Sequence, residues 1–228
     1  MIHVVSLPIG TSATDEFIEG ALQQGYEQSL VITSSQFMVQ KARLRGVNAR
    51  NFDYLANDIL RQCAKTDVRL LSRKAQAIIL QKILQQLQAE SRLSYYVRLL
   101  DKKGFLHSML SLIGQLGRSN VTVPEVKTAL QSWDRSGSRG TKDRETELIY
   151  ERYRDYLKTH RVYDVEGLYR LAAEALRERL RKGGCVKWRA LFFTGFYHFD
   201  ALQLKILAQL GQCCDVWIAL SYEGQRPE

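Results

Sequence analysis

The sequence predicts an α/β fold in which a parallel sheet is flanked by helices and interrupted by a large all-helical insertion. Two observations lead to this fold class. Short apolar, β-branched runs alternate with helical periodicity near both ends of the chain, whereas the middle carries helical periodicity alone. Strands that alternate with helices are typical of a parallel sheet, because each crossover connection is long enough to hold a helix.

Two strands are predicted in each terminal part of the chain. Residues 1–6 and SLVIT at 29–33 are short apolar runs, each followed by polar or turn residues and then by helical periodicity. Near the other end, ALFFTGF at 190–196 and DVWIALS at 215–221 repeat this pattern around the helix ALQLKILAQL. Uninterrupted apolar runs of this length are typical of strands that are buried on both faces.

The middle of the chain reads as a series of amphipathic helices. The first of them, LSRKAQAIILQKILQQLQ at 71–88, has apolar residues at the three-to-four spacing of a helix face. Further segments continue the series, and no strand pattern interrupts them. We therefore predict an α/β domain formed by residues 1–65 and 185–228, and a helical insertion subdomain at 66–184.

The basic excess of the chain lies in this insertion. The formal charge is +9, and Lys and Arg outnumber Asp and Glu by 23 to 14 in residues 66–184 but balance at 6 to 6 in 1–65 and at 4 to 4 in 185–228. A basic surface confined to one segment favours a polyanionic partner, because neutralised phosphates release condensed counterions. The alternative is that these residues only solvate long helices.

Within the insertion, DRSGSRGTKDR at 134–144 is predicted to be a flexible loop, because Gly and Ser disfavour regular structure. Its cations, Arg135, Arg139, Lys142 and Arg144, are candidate contacts to a nucleic-acid backbone, and the alternative is a simple tether. The set Tyr150, Tyr153 and Tyr156 falls on one helix face. We interpret this face as core packing rather than as a base-stacking platform.

No metal or cofactor site is predicted. The cysteines form no CxxC pair and have no histidine partners at metal spacing, and the histidines have no nearby Ser or Cys motif that would indicate a nucleophile and its base. The chain also lacks an apolar run long enough to cross a bilayer, and MIHVVSLP lacks the basic start of a signal peptide. We expect a cytoplasmic protein without a membrane partner.

The segment that follows the first strand has the position of a phosphate loop without its chemistry. Such a loop follows the pattern GxxxxGK[ST], but counting from Gly10 places Asp15-Glu16-Phe17 where Gly-Lys-Ser/Thr should stand. Thr14 with Asp15 and Glu16 is instead a good helix start. We therefore predict a degenerate nucleotide loop. Its residues are Gly10, Thr11, Ser12, Thr14, Asp15 and Glu16.

Three local patterns occur in the order found in superfamily 1 DNA helicases. A Ser-rich turn begins at Ser34 after the strand SLVIT, and Asn51-Phe52-Asp53 stands at the position of a Thr-Phe-hydrophobic motif. A later strand leads to Gln203 and a leucine-rich helix. The sequence resembles most the helicase-like N-terminal part of the AddB/RexB subunit of bacterial helicase-nucleases, in which the magnesium-binding Asp-Glu is typically replaced by a sequence similar to Thr194-Gly195-Phe196.

This resemblance covers the whole chain and implies a P-loop-NTPase-like sheet, a role in double-strand-break end processing and recombination, and a partner subunit of the AddA type. The full-length family is an ATP-dependent exodeoxyribonuclease. This chain departs from it in three ways: the phosphate-loop lysine and hydroxyl are missing, the strand end at Thr194-Gly195 offers no carboxylate for magnesium, and the second helicase-like half and the nuclease with its iron–sulfur cysteines are not in the sequence. We expect a fragment of a longer protein or a truncated relative.

The resemblance also implies DNA-contacting residues. In a working motor of this type the Ser/Thr turn and the Thr-Phe segment contact single-stranded DNA. By this resemblance, Ser34, Ser35 and Gln36 are expected to contact phosphates through their backbone N–H groups, and Phe52 is expected to be a stacking surface for bases. The alternatives are that Ser34 caps a helix and that Phe52 packs in the core.

The sequence as a whole predicts a DNA-binding scaffold that guides or scans a strand, with single-stranded DNA as its expected ligand, while a partner subunit hydrolyses ATP. The chain itself is expected to have neither ATPase nor nuclease activity. Two alternatives stay open. One is a nucleotide hydrolase with an atypical loop in which Thr11, Ser12 and Thr14 bind phosphate, and the other is a protein-interaction scaffold whose basic insertion meets an acidic partner.

Overall fold

The computed structural model of the chain describes residues 1–8, 13–66, 68–131 and 137–222. The chain divides into two compact units. The first comprises Met1–Asp67 together with Leu168–Glu228, and the second comprises Val68–Gly167. No helix in the described residues combines the length and the apolar character needed to cross a membrane.

The first unit contains a parallel sheet. Its strands in the described residues are β1 (Ile2–Pro8), β2 (Ser29–Thr33), β3 (Ala49–Arg50), β4 (Ala190–Phe196) and β5 (Asp215–Tyr222). They lie in the order β1-β5-β4-β2-β3, and every neighbouring pair is parallel. The predicted α/β class with a parallel sheet flanked by helices is confirmed.

Helices connect these strands and form the second unit. In chain order, the described α-helices are α1 (Thr14–Gln24), α2 (Gln36–Leu44), α3 (Phe52–Ala64), α4 (Arg73–Ala89), α5 (Lys103–Arg118), α6 (Val123–Gln131), α7 (Gly137–His160), α8 (Val165–Arg181) and α9 (Ala201–Leu210). A short 3₁₀ turn at Val97–Leu99 precedes α5. Helix α8 begins in the second unit and continues into the first.

Polar side chains fix where several of these helices begin. The residue that precedes each of four helices accepts a hydrogen bond from a backbone N–H of the first turn, which satisfies a donor that has no partner inside the helix. These capping residues are Ser35 before α2, Asn51 before α3, Ser72 before α4 and Asp200 before α9. At α9 the Gln203 side chain also accepts from the Asp200 N–H, at 3.1 Å, which completes a capping box.

The central strands are mostly apolar because both faces of the sheet are covered. All five residues of β2 are buried, and β4 is buried at every position except Gly195. On one face, Phe17 and Ile18 of α1 and Val39 of α2 pack against Val31 and Phe192 of the sheet. This burial on both sides explains why the strands have continuous apolar runs rather than an alternating pattern.

The second unit has its own hydrophobic core, which is formed mainly by α4, α5 and α7. Leu80, Ile83, Leu84 and Leu87 of α4 belong to it, together with Met109, Leu110 and Ile113 of α5 and Ile149 of α7. Tyr150 and Tyr153 are 1% and 0% exposed in the same core. The core-packing interpretation of these tyrosines is confirmed. Tyr156 is only partly buried and stacks on His160, with 4.0 Å between ring centroids.

The flexible loop predicted at 134–144 is wrong for residues 137–144, because α7 begins at Gly137. Arg139, Lys142 and Arg144 are helical, and Arg135 lies outside the described residues. Gly140 is buried in α7 although glycine has a low helix propensity. Tertiary packing therefore outweighs the local preference of Gly and Ser.

The buried carboxylate of Glu145 holds α7 to the segment that follows α4. Its Oε1 accepts hydrogen bonds from the N–H of Ser94 at 2.6 Å, the Ser94 hydroxyl at 3.0 Å and the N–H of Tyr95 at 2.7 Å, and its Oε2 accepts from the N–H of Tyr96 at 2.9 Å. Burial raises the pKa of Glu145, but the three N–H groups and the hydroxyl lower it by more. The net pKa of this carboxyl therefore lies below its ordinary value.

We predict that Glu145→Gln destabilises the chain by about 1–3 kcal/mol at pH 7, because an amide cannot accept all four hydrogen bonds and its NH₂ group opposes N–H donors. Since the folded-state pKa is lowered, the stabilisation is present above the unfolded-state pKa and is lost as the pH falls below about 4.5. Urea unfolding followed by circular dichroism should show a smaller difference between variant and wild type at pH 3 than at pH 7. Glu151→Gln, an exposed position on the same helix, is the matched control, and an equal effect of the two variants at pH 7 would contradict the prediction.

Candidate functional site

The carboxyl ends of β2 and β4 meet at one edge of the sheet, where the polar residues of the first unit converge. These two strands are direct neighbours and run parallel, so the segments that leave them start side by side. The Ser34 hydroxyl, directly after β2, donates a hydrogen bond to the backbone carbonyl of Gly195 in β4. Two residues separated by 161 positions in the sequence are thereby joined.

The turn after β2 presents three of the predicted DNA-contacting residues, Ser34, Ser35 and Gln36, at the exposed start of α2. The Ser35 hydroxyl accepts from the N–H of Met38 at 3.2 Å, and Thr33, which is buried, donates to the Ser35 carbonyl at 3.0 Å. Ser35, rather than Ser34, is therefore the helix cap. This helix start follows the carboxyl end of β2, and helix starts at such positions bind anions in other parallel-sheet proteins.

The start of α1 lies against the end of β4. The hydroxyl oxygens of Thr14 and Thr194 are 3.0 Å apart, and the two residues are 5% and 2% exposed. In a nucleotide site this contact would bring together the helix that follows the phosphate loop and the strand that carries the magnesium ligand. Here two neutral hydroxyl groups share one hydrogen bond instead.

Other residues of the predicted nucleotide loop are only partly described. Gly10, Thr11 and Ser12 lie outside the described residues. Asp15 and Glu16 are exposed in the first turn of α1, and Asp15 forms an ion pair with Arg45. Among the residues that the structure describes, no group of three or more His, Cys, Asp or Glu side chains could hold a metal ion.

Phe52 lies in the core of the first unit and not on its surface. Its side chain is 4% exposed, and its ring centroid is 5.1 Å from that of Tyr169 and 6.0 to 6.5 Å from those of Phe193, Phe196 and Phe199. The stacking role inferred for Phe52 is therefore replaced by the alternative of core packing. A ring enclosed by four other rings has no free face for a base.

Tyr169 is a residue of this region that the sequence did not single out. Its hydroxyl donates to the Asp53 carboxylate at 2.5 Å, and burial followed by the nearby Asp53 charge raises the pKa of Tyr169. Thr194 and Gly195 were identified from the sequence only as the strand end that lacks a magnesium carboxylate, and not as hydrogen-bond partners of Thr14 and Ser34. The signal available was their position at the end of a buried strand, where parallel-sheet proteins carry their binding residues.

The three described cations of the predicted loop belong to the second unit and are exposed there. Arg144 donates to the Thr141 hydroxyl at 3.3 Å and lines an open cavity of about 940 Å³. Arg92 and Lys127 line the same cavity, but so do Asp143 and Glu147. The cavity therefore presents both signs of charge, and its walls alone do not select a polyanion.

The parallel sheet, with its polar groups gathered at the carboxyl ends of neighbouring strands, defines an α/β protein of the class that binds its ligands at this edge. Within that class, the family model described as ADDB, N-terminal, matches residues 27–228. The chain belongs to this family, and the resemblance inferred from the sequence is confirmed. Membership supports a role in DNA repair and in a DNA-processing complex with a partner subunit. No match was found among curated proteins.

We predict that Gly195→Ala destabilises the first unit by about 1–3 kcal/mol. Gly195 has a φ of +76°, a backbone angle that residues other than glycine rarely adopt. A Cβ at this position would also lie 3.2 Å from the Ser34 hydroxyl oxygen. Thermal unfolding monitored by circular dichroism should show a lower midpoint for this variant.

The matched control for Gly195→Ala is Gly104→Ala in α5, where a Cβ would meet no atom within 4 Å. Alanine is the better helix former, so this control should unfold at the wild-type midpoint or above it. Equal midpoints for the two variants would contradict the prediction, because they would show that a side chain at position 195 does not strain the backbone.

Proposed function

We propose that this chain is the DNA-binding, catalytically degenerate helicase-like region of the AddB-type subunit of a helicase-nuclease. It acts in double-strand-break end processing and recombination in the cytoplasm, and it guides or scans a DNA strand while a partner subunit of the AddA type hydrolyses ATP. The observation that carries the proposal is the contact of Thr14 with Thr194, where a motor would hold its phosphate loop against its magnesium ligand.

The loss of ATP chemistry follows from the charges at this contact. Hydrolysis of a nucleotide requires a lysine or a comparable cation for the phosphates and a carboxylate for magnesium. Thr194 supplies a hydroxyl at the strand end. At the start of α1, Asp15 is paired with Arg45 and Glu16 adds a further negative charge where phosphates would approach. These acidic side chains favour the helix dipole, but they oppose a triphosphate.

The DNA-binding part of the proposal is supported by the exposed start of α2. Ser34, Ser35 and Gln36 stand at the carboxyl edge of the sheet, and the N–H groups of this turn are suited to a phosphate. Arg139, Lys142 and Arg144 supply exposed positive charge in the second unit. Each unit by itself therefore offers groups that can contact backbone phosphates, and single-stranded DNA is the ligand we propose, because such contacts need no base-paired groove.

We predict that the purified chain binds single-stranded DNA with an affinity that falls steeply as salt rises from about 50 to 200 mM. Each phosphate contact should contribute about 0.7 to the slope of log affinity against log salt. Removing three cations in the variant Arg139→Ala, Lys142→Ala, Arg144→Ala should therefore lower this slope by about 2 in fluorescence anisotropy titrations.

The matched control keeps the charge in the variant Arg139→Lys, Arg144→Lys, which should retain the wild-type slope. Negligible binding by the wild-type chain at the low-salt end of the titration would contradict the proposal and favour a protein-interaction scaffold. An unchanged slope of log affinity against log salt in the triple alanine variant would show that these three residues do not contact DNA. The proposal for the first unit would still stand.

We also predict that the chain does not bind ATP with magnesium in isothermal titration calorimetry, because the Thr14 and Thr194 hydroxyls supply neither a cation for the phosphates nor a carboxylate for magnesium. Glu16→Ala, which removes one of the opposing carboxylates, serves as the comparison and should likewise give no binding heat. DNA-stimulated ATPase activity of the wild-type chain above that of Glu16→Ala would favour the nucleotide hydrolase with an atypical loop.

A further inference from the structure

The four cysteines of the chain gather at the amino-terminal edge of the first unit's sheet, opposite the edge where β2 and β4 end. Cys185 lies in the segment that enters β4, and Cys213 and Cys214 lie directly before β5. Cys63 lies in the last turn of α3. Residues that are up to 151 positions apart in the sequence are thereby brought to one place by the strand order.

Two backbone hydrogen bonds hold the segments that carry these cysteines. The Asp215 N–H donates to the Arg189 carbonyl at 2.9 Å, which joins the entries of the neighbouring strands β5 and β4. The Lys187 N–H donates to the Gln62 side chain at 2.9 Å, which brings the end of α3 to the segment before β4. The grouping of the cysteines is therefore fixed by the fold.

Cys213 lies at the centre of this group. Its sulfur is within hydrogen-bond reach of the Cys185 thiol, the Cys214 thiol and the Val186 N–H, and Cys63 is close enough to interact with its charge. Of the four, only Cys214 is buried, whereas Cys63 and Cys213 are half-buried and Cys185 is exposed. Core packing, the usual role of a free cysteine, does not account for thiols that solvent reaches.

A structural metal ion does not account for the group either. A zinc site needs three or four ligands that converge on one point. In the described ranges of the chain, no three side chains of His, Cys, Asp or Glu are arranged to hold a metal ion. The contacts at Cys213 instead pair one sulfur with another, which is the arrangement needed for a disulfide.

Hydrogen bonding makes Cys213 the most acidic of these thiols. The Cys214 thiol, the Val186 N–H and the Cys185 thiol lower the pKa of Cys213 by more than burial raises it. Desolvation raises the pKa of Cys63 and that of Cys185, and the contact with Cys213 raises the pKa of Cys214. The thiolate is the nucleophilic form of cysteine, so Cys213 is the reactive member of the group.

We propose that Cys213 is a site of reversible oxidation by hydrogen peroxide, and that Cys185 is the thiol that converts the oxidised sulfur into a disulfide. Peroxide is small and uncharged, and it therefore suits a thiol that is half-buried. An accessible thiolate next to a second thiol is the usual setting of peroxide-sensitive cysteines. Cys185 is exposed and free to move toward Cys213, whereas Cys214 is buried. This inference does not depend on the proposed DNA-binding function.

Two steps complete the reaction. The Cys213 thiolate attacks one peroxide oxygen, so that an S–O bond forms, the O–O bond breaks, and the leaving hydroxide takes up the thiol proton as water. The Cys185 sulfur then attacks the sulfenic sulfur of Cys213, so that the S–S bond forms, the S–O bond breaks, and a second water leaves with the Cys185 proton. One peroxide gains two electrons and two thiols become one disulfide, which a dithiol reductant reverses.

The test treats the full reduced chain with hydrogen peroxide at pH 7 in the presence of EDTA. Free thiols are then alkylated and peptides are mapped by mass spectrometry. The wild type should lose two free thiols, show a Cys185–Cys213 disulfide, and regain both thiols with dithiothreitol. Cys185→Ser should stop at the sulfenic acid of Cys213, which dimedone traps. Cys213→Ser should give neither product.

Cys63→Ser is the matched control, because it removes a half-buried thiol of the same group without touching the proposed pair. It should form the Cys185–Cys213 disulfide in the same yield as the wild type. Circular dichroism should show that each serine variant is folded. Dimedone mapping on Cys185→Ser and disulfide mapping on the wild type test the assignment even if Cys213→Ser unfolds.

A pH profile on the wild type tests the reactive state of Cys213. The titratable groups around it are the other three thiols and the amino terminus. A thiol with the ordinary pKa of about 8.5 loses its thiolate roughly 75-fold between pH 8 and pH 6. Alkylation of Cys213 by iodoacetamide should fall by less than about tenfold over this range, since its pKa is lowered.

The outcomes decide the assignment. Four free thiols after peroxide, a disulfide that joins a different pair of cysteines, or a dimedone adduct on a cysteine other than Cys213 would each overturn the inference. A full 75-fold fall in the alkylation of Cys213 would overturn it as well. The Cys185–Cys213 disulfide in the wild type, with trapped sulfenic acid in Cys185→Ser, supports it.

Discussion

The structure of the first unit depends on the burial of a parallel sheet on both faces. Parallel pairing forces every strand to be followed by a crossover, so all strands end at the same edge and their last residues become neighbours. This constraint brings Thr14 within hydrogen-bond distance of Thr194 and Ser34 within reach of Gly195, although these pairs are 180 and 161 residues apart. The candidate site is a consequence of the strand order, because no single segment contains it.

The connection between β3 and β4 holds the whole of the second unit, yet β4 pairs directly with β2. The entropic cost of closing a connection grows only with the logarithm of its length, so a long insertion is compatible with the sheet. The insertion also contains the core of α4, α5 and α7, with Glu145 bound to three successive backbone N–H groups. Each unit thus has its own source of stability.

The sequence predicts the strands well because the constraint leaves a strong pattern, namely uninterrupted apolar runs such as 29–33 and 190–196. It does not reveal the two-residue strand β3, which is too short to carry a period, or the helical state of residues 137–144, where buried packing of Gly140 outweighs local propensity. The burial of Phe52 could have been predicted from the sequence. With Leu55, Ala56 and Ile59 it completes one apolar stripe of α3, all of which is buried, whereas Phe37 lies off the buried face of α2 formed by Val39 and Ala42.

The Thr14–Thr194 contact also bears on how a strand could use this edge. A working nucleotide site holds a lysine and carboxylates that remain incompletely paired until phosphate and magnesium arrive, and unpaired buried charges are costly. The Thr14–Thr194 hydrogen bond joins two neutral groups, so the junction of α1 and β4 needs no phosphate or magnesium to compensate a buried charge. In the proposed function, the neighbouring edge at β2 and β4 therefore keeps its geometry through the catalytic cycle of a partner. A surface that does not change with nucleotide state is suited to holding a strand continuously while another subunit moves it.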